Sequence, residues 1–330
     1  MLHSRKYLTP QDRAIRGSGF NWFAGRKMIV LYAQRFALAA QKRMTEAAEN
    51  RSRAAGALHW QSQAVLLALV PAAAIWVTLA AGQAWNQGDP VFWAAAAIGL
   101  GLALLVAMAR TATPAAALTG GLFATALYLE TPGVHTALWP LLALLLLTFG
   151  ATRFGRSRKE GLGTAESRRG RRASQVAANL GVAALAGIPL SAFRADTPWF
   201  FGRAAALAAL VAALAEATAD TLSSELGQVL GGEPRLITTL QRVPAGTDGG
   251  ISVAGTLLGC LGAAIIVATS MAVLGMTREE ALAALFGAIA GLVVDSLLGA
   301  LVERRGWLNN DAVNALSTLA AALVAGFAAR

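Results

Sequence analysis

The sequence predicts an all-α fold, a polytopic integral membrane helical bundle of about nine transmembrane helices with the N-terminus cytoplasmic. Three observations predict it. The chain is 56% hydrophobic and only 14% charged, with mean hydropathy +0.54, whereas an ordinary soluble domain carries about 25% charged residues. Apolar runs recur close to the roughly 20 residues that cross a bilayer as a helix. Lys and Arg collect between those runs, so membrane topology accounts for most of the net charge of +10, and no nucleic acid partner is implied.

Residues 1–58 form a basic cytoplasmic leader with 11 Lys or Arg against 3 Asp or Glu. It lacks the compact apolar core and small-residue cleavage site of a signal peptide. Its middle, Trp22 to Leu38, mixes aromatics with Arg26, Lys27 and Arg35. That suits a helix lying on an anionic leaflet, and a partly disordered leader fits equally. Residues 59–330 form the transmembrane domain. Its spans are expected at 61–82, 91–109, 114–130, 136–151, 176–193, 199–219, 250–274, 281–301 and 310–328. The third and fourth are short or interrupted by glycine, so one of them is a candidate for a tilted or re-entrant segment.

Charge sets the orientation. The 152–175 loop carries Arg153, Arg156, Arg158, Lys159, Arg168, Arg169, Arg171 and Arg172 against Glu160 and Glu166, and such loops stay cytoplasmic. The leader, this loop, the 220–249 loop and the turn at 303–306 then share the cytoplasmic side, and the C-terminus lies outside. His135 falls on the outer side as a loop residue. Cys260 sits in an apolar run and reads as packing. The Ala-rich composition points to a GC-rich bacterial genome, and the expected location is the bacterial inner (cytoplasmic) membrane.

Polar groups at membrane depth are costly and usually functional. Glu216, Asp220 and Ser224 are four apart and share a helix face. Glu225 points elsewhere on a straight helix, so its joint action with Asp220 requires the helix to end or bend. Nearby carboxylates and hydroxyls suit a Mg²⁺ that keeps waters and is shared with substrate phosphates; a polar helix end pairing with Arg235 or Arg242 is the plainer reading. The run P-A-G-T-D-G-G at 244–250 offers Gly246, Thr247 and Gly249 before Ser252 and the next span. Such a loop feeding a helix start can cradle an anion, or can be a tight turn. Gly255 and Gly259, and Gly287, Gly291 and Gly299, read as close-packing faces. Asp295, on the second of these faces, needs a ligand or a partner arginine. Asn310, Asn314 and Ser317 share one face, with Asp311 or Asn310 as a possible helix cap. Gln175 and Asn179 lie one turn apart with Arg172 one turn earlier, and arginine's planar fork suits phosphate oxygens. All these clusters converge on one cytoplasmic boundary, where a phosphorylated, metal-bound ligand from water would meet something dissolved in lipid.

The motifs F-G-A-T-R at 149–153, Lys159, G-R-R-A-S-Q-V-A-A-N-L-G at 170–181, A-D-T-L-S-S-E-L-G at 219–227 and P-R-L-I-T-T at 234–239 continue in a specific order. V-P-A-G-T-D-G-G-I-S-V-A-G at 243–255, D-S-L-L-G-A at 295–300 and W-L-N-N-D-A-V-N-A-L-S-T at 307–318 complete it. Over about residues 95–328 the chain resembles the integral membrane family that includes plant and cyanobacterial phytyl-phosphate kinase. Two positions depart from the family pattern, Ala219 before Asp220 and the last glycine of G-T-D-G-G, Gly250, and neither removes a charged or hydroxyl group. The resemblance implies phosphoryl transfer from a nucleoside triphosphate, with CTP as donor, to an isoprenoid monophosphate. It implies that Asp220, Glu225 and Asp295 act in catalysis and hold Mg²⁺. Lys159, Arg172, Ser224, Ser252 and the Gly246–Gly250 loop would bind phosphates, and Gln175, Asn179, Asn310 and Asn314 would orient oxygens. The prenyl tail would lie among the glycine-lined helices. The competing classes are a transporter or lipid-binding membrane protein, whose site belongs near the midplane, and a structural protein, which leaves the acids unexplained.

Overall fold

The computed structural model describes residues 58–166, 170–192 and 202–330. The basic leader, with its expected surface helix, lies outside them. Eleven α-helices follow in the described residues: α1 (His59–Asn86), α2 (Val91–Met108), α3 (Pro114–Glu130), α4 (Leu138–Arg153), α5 (Arg156–Leu162), α6 (Ala173–Ala186), α7 (Ile188–Ala192), α8 (Arg203–Leu230), α9 (Val253–Leu274), α10 (Arg278–Leu298) and α11 (Asn310–Ala328). Two short antiparallel strands, β1 (Arg235–Leu236) and β2 (Gly250–Ile251), close the loop between α8 and α9, with Arg235 opposite Ile251. The protein is an all-α polytopic membrane protein.

Helices stand at all nine expected positions, but they are not equivalent. Among the described residues, seven are long and apolar enough to cross a membrane. α3 has 17 residues, a rise of about 26 Å against a hydrocarbon core of about 30 Å. α4 has 16 residues and bends by 62° into α5, so this pair is a broken span or a re-entrant loop and raises the count to eight at most. Gly155, at φ 62, makes that bend possible.

α8 is the centre. It is rich in alanine, apolar on every face from Ala204 to Ala215, and buried there almost completely. A helix of that kind belongs in a core, and α4, α6, α9, α10 and α11 surround it. α1 packs outside α6, and α2 outside α3. α8 also corrects an expectation. It does not stop at 219 but continues to Leu230, so the following loop begins at Gly231 rather than at 220. The polar run does not break the helix because its hydroxyls turn back onto it. Thr218 Oγ1 donates to Leu214 O at 2.9 Å, and Thr221 Oγ1 to Ala217 O at 2.9 Å. The helix ends where Gly231 and Gly232, the latter at φ 66, allow it to.

The glycine faces are filled. A Cβ on Gly259 would stand 2.8 Å from the Ala219 carbonyl oxygen, and one on Gly255 2.8 Å from that of Ser223, so α9 lies directly on α8. A Cβ on Gly287 would meet Ala321 O at 2.5 Å, and one on Gly291 would meet Ser317 O at 2.8 Å and Glu216 Cγ at 2.6 Å. These faces leave no room for a prenyl tail, which corrects the expectation that the tail lies among them. Small residues let membrane helices approach this closely. Gly259→Val should therefore cost about 1–3 kcal/mol by overpacking. Gly101→Val is the control, since nothing lies within 4 Å of a Cβ there; it should be near neutral. Denaturant midpoints of both variants in one detergent check this.

Candidate functional site

One end of the bundle gathers the polar groups. The ends of α8 and α10 and the starts of α6 and α11, with the α8–α9 loop, enclose a cavity of about 380 Å³. The packing of α6, α10 and α11 around α8 brings these ends together. Gly249 sits at φ 71 with Ala300 N 2.4 Å from where its Cβ would be, so only glycine lets this loop rest on the end of α10. The last turn of α10, Gly299–Glu303, widens into a π-helix, a feature often found at functional sites, and Glu303 lines the cavity from it.

Of the residues singled out from the sequence, Asp220, Glu225, Ser224, Asp295, Gln175 and Asn179 line the cavity. So do Gly246, Thr247, Gly249, Ser252, Asn310 and Asn314. Asp220 on α8 and Asp295 on α10 are side-chain neighbours. The Asp295 Oδ1 atom is buried without a hydrogen-bond partner. One turn deeper, Glu216 is 1% exposed, lies beside Asp220, and leaves its Oε1 atom without a partner. Asn314 Nδ2 donates to Asn179 Oδ1 at 3.0 Å, which ties α11 to α6 across the cavity floor.

Two of the expected residues face away from the cavity. Lys159 is 1% exposed on α5. Its ammonium donates to Ala151 O at 2.8 Å and Thr152 O at 3.1 Å and makes an ion pair with Glu225. All three ammonium hydrogens are thereby used, and Lys159 holds the α4–α5 bend against α8. Glu225 is on a different helical face from Asp220, as a straight α8 requires, and reaches the cavity already paired. Arg172 is exposed and lies 3.8 Å from Asp311. Asp311, 2% exposed, also accepts from Ser62 Oγ at 2.6 Å. The cap of α11 is therefore not Asp311 or Asn310 but Asn309, which accepts from Ala312 N at 2.9 Å. Ser252 likewise caps α9, accepting from Gly255 N at 3.1 Å. In the glycine loop, Thr247 N–H and Gly250 N–H are spent on Pro244 O and Thr247 O at 3.2 and 2.9 Å, so the loop is not a continuous cradle of amides. His135 sits at the opposite end, hydrogen-bonded to Val273 O at 2.9 Å.

Sequence reasoning missed Arg171, which it counted only as loop charge. Thr113 N donates to Arg171 O at 3.0 Å and Arg171 N to Thr111 O at 3.1 Å, which fixes its backbone to the α2–α3 turn. Among the described residues it is the one cation that lines the cavity, against six carboxylates: Glu166, Asp220, Glu225, Asp248, Asp295 and Glu303. Arg171 Nε lies 3.8 Å from Glu166. Burial pushes the Glu166 carboxyl above its ordinary pKa, and Arg171 opposes that rise. Within the described residues no ion pair joins Asp220, Asp295 or Glu303, and no three of His, Cys, Asp and Glu form a metal-binding group. Two facing carboxylates with an orphaned oxygen still fit Mg²⁺, which takes one or two carboxylates and completes its shell with water and phosphate.

A second, apolar cavity of about 530 Å³ lies between α2, α3, α4 and α6. Glu166, Arg171 and Asn179 line both cavities.

The family described as integral membrane protein DUF92 matches residues 97–322, more than half of the chain. An uncharacterised membrane protein of Methanocaldococcus jannaschii is 41% identical over 124 residues, which is 38% of this chain and 52% of the relative. One of Synechocystis is 33% identical over 190 residues, 56% of this chain and 70% of the relative. The chloroplastic protein VTE6 of Arabidopsis thaliana is 28% identical over 186 residues, 56% of this chain and 55% of the relative. The matched part thus spans about half the length of the archaeal and plant relatives. No solved structure matches the chain.

The buried Lys159–Glu225 pair yields a stability prediction. Lys159→Ala should destabilise by about 3 kcal/mol, since it strands a largely buried carboxylate. Lys159→Ala with Glu225→Ala should lose clearly less than the sum of the single changes. A double-mutant cycle on denaturation in detergent measures the coupling, and strict additivity would refute the strut.

Proposed function

This chain belongs to the integral membrane family DUF92, and we propose that it is a membrane-embedded isoprenoid-phosphate kinase working at the cytoplasmic face. The reading combines the resemblance to phytyl-phosphate kinase with one observation. The acid-rich cavity lies at one end of the bundle, between α6, α8, α10 and α11, the α8–α9 loop and the segment with Glu166 and Arg171. A transporter site belongs near the midplane with access from both sides. A one-sided site at the boundary suits a reaction between a solute and a lipid.

The chemistry balances without a protein base. An oxygen of the acceptor monophosphate, already an anion, attacks the γ-phosphorus of the nucleoside triphosphate. The new P–O–P linkage forms as the bond from the γ-phosphorus to the bridging oxygen breaks, and the nucleoside diphosphate leaves with that electron pair. Such transfer needs positioning and charge neutralisation. Asp220 and Asp295 would hold Mg²⁺, which neutralises phosphate charge when bound. Arg171 takes the phosphate-binding role expected of Arg172, because it is the arginine lining the cavity. Gln175, Asn179 and Asn314 offer amides to phosphate oxygens. Lys159 acts indirectly, by holding Glu225. CTP as donor rests on the resemblance alone, and a bacterial cytoplasmic membrane as the location rests on composition.

The test is direct. Protein in detergent, given geranylgeranyl or phytyl monophosphate, Mg²⁺ and each labelled nucleoside triphosphate, should form the isoprenoid diphosphate. Asp220→Asn and Asp295→Asn should each slow it about 100-fold or more, the scale of removing one preorganised charge from an active site. Chelation of divalent ions should stop it. No product with any pair, from protein shown to be folded, would overturn the kinase and turn attention to flux in liposomes.

A further inference from the structure

The apolar cavity is not accounted for by a solute site. Its walls include Leu105, Leu141, Leu145, Val176 and Leu180, and its rim carries Arg110, Arg153, Arg156 and Arg171 against one carboxylate, Glu166. Arg110 holds a left-handed backbone at φ 52 at the end of α2, a conformation that costs energy in a non-glycine residue. Arg153 lies 4.1 Å over the Phe149 ring, also at this rim. A cationic mouth over an apolar body is complementary to an anionic amphiphile. At about 530 Å³ the cavity is also within the roughly 300–1,000 Å³ of ligand sites. At Glu166, Arg171 and Asn179 it adjoins the acidic cavity.

We propose that this groove between α2, α3, α4 and α6 seats the hydrocarbon tail of a lipid monophosphate, and that Arg171 binds its phosphate at the junction of the two cavities. The identity of the amphiphile as the phosphoryl acceptor rests on the kinase reading; the seat does not. Gly120 provides the space. A Cβ there would meet nothing nearer than Val176 Cγ1 at 3.8 Å, whereas its neighbour Gly121 is closed by Gly99 O at 2.6 Å. A long side chain at Gly120 therefore fills the groove without forcing α3 off its neighbours.

The experiment uses the full chain in nanodiscs and geranylgeranyl monophosphate carrying a diazirine on its tail. Peptides are mapped after irradiation. Labelling should fall within 102–121, 141–149 and 176–180. Excess unlabelled geranylgeranyl monophosphate should compete, and phosphatidylglycerol should not. Gly120→Leu, and Leu145→Trp as a second obstruction, should cut labelling about tenfold or more, the effect of a steric change in an apolar pocket. Arg171→Ala should weaken competition by the monophosphate while leaving competition by the uncharged alcohol unchanged. Labels on α9 and α10, labelling indifferent to both obstructions, or equal competition by phospholipid would each overturn the proposal, the last by showing an ordinary bilayer-lipid site. Groove labelling without turnover would sink the kinase and leave the seat standing. Turnover with labels elsewhere would do the reverse.

Discussion

Asp220 and Asp295, side by side where the buried part of α8 gives way to its polar turns, are the constraint on which the rest of the structure depends. Like charges so close repel, and the repulsion grows as surrounding water is removed. Their meeting is a result of packing. α10 reaches α8 and α11 closely because Gly287 and Gly291 carry no side chain, and the Glu216 Cγ atom occupies the space beside Gly291. A larger residue there would move Asp295 away from Asp220. Helix packing and the electrostatics of the cavity are thus a single property of these positions.

The nearby cations relieve the pair only in part, through the charge of Arg171 near Asp220. Lys159 is consumed by Glu225 and two backbone carbonyls, and Arg172 lies against Asp311. Arg171 is shared between Glu166 and the cavity. The charge balance of the site is therefore left to what binds there. The proposed cation with its phosphate ligands would meet that need, since the metal would offset the acids and the phosphates the metal. The acids alone would repel a nucleotide.

The fold was largely legible in the sequence because lipid imposes long apolar runs, and nine helices stand where those runs predicted them. The end of α8 was not, because hydroxyls of Thr218 and Thr221 bond back to their own helix and let it continue through a run that reads as a boundary. Asp220, Asp295 and Asn314 were legible because polar groups at such depth demand a reason. The cations were not. Arg171 and Arg172 are adjacent and chemically identical, and only the pairing of Arg171's backbone with Thr111 and Thr113 turns one inward. The apolar groove was invisible for a different reason. It is made of Leu, Ala and Gly from four helices, each of which reads as ordinary membrane-facing surface.

α6 joins the two halves of the molecule. Gln175 and Asn179 face the acidic cavity, while Val176 and Leu180, one position further round the helix in each case, face the groove. The same two turns therefore divide water from hydrocarbon. That division matters energetically. Drawing an isoprenoid tail into water costs about 0.8 kcal/mol per CH₂, on the order of 10 kcal/mol for a long one. A seat that keeps the tail in apolar surroundings removes that cost. By the proposed seat, only the phosphate would then have to cross the boundary, beside Glu166, Arg171 and Asn179, the residues common to both cavities. The backbone bonds of Arg171 to the α2–α3 turn and the Asn179–Asn314 bond fix two of those residues in place.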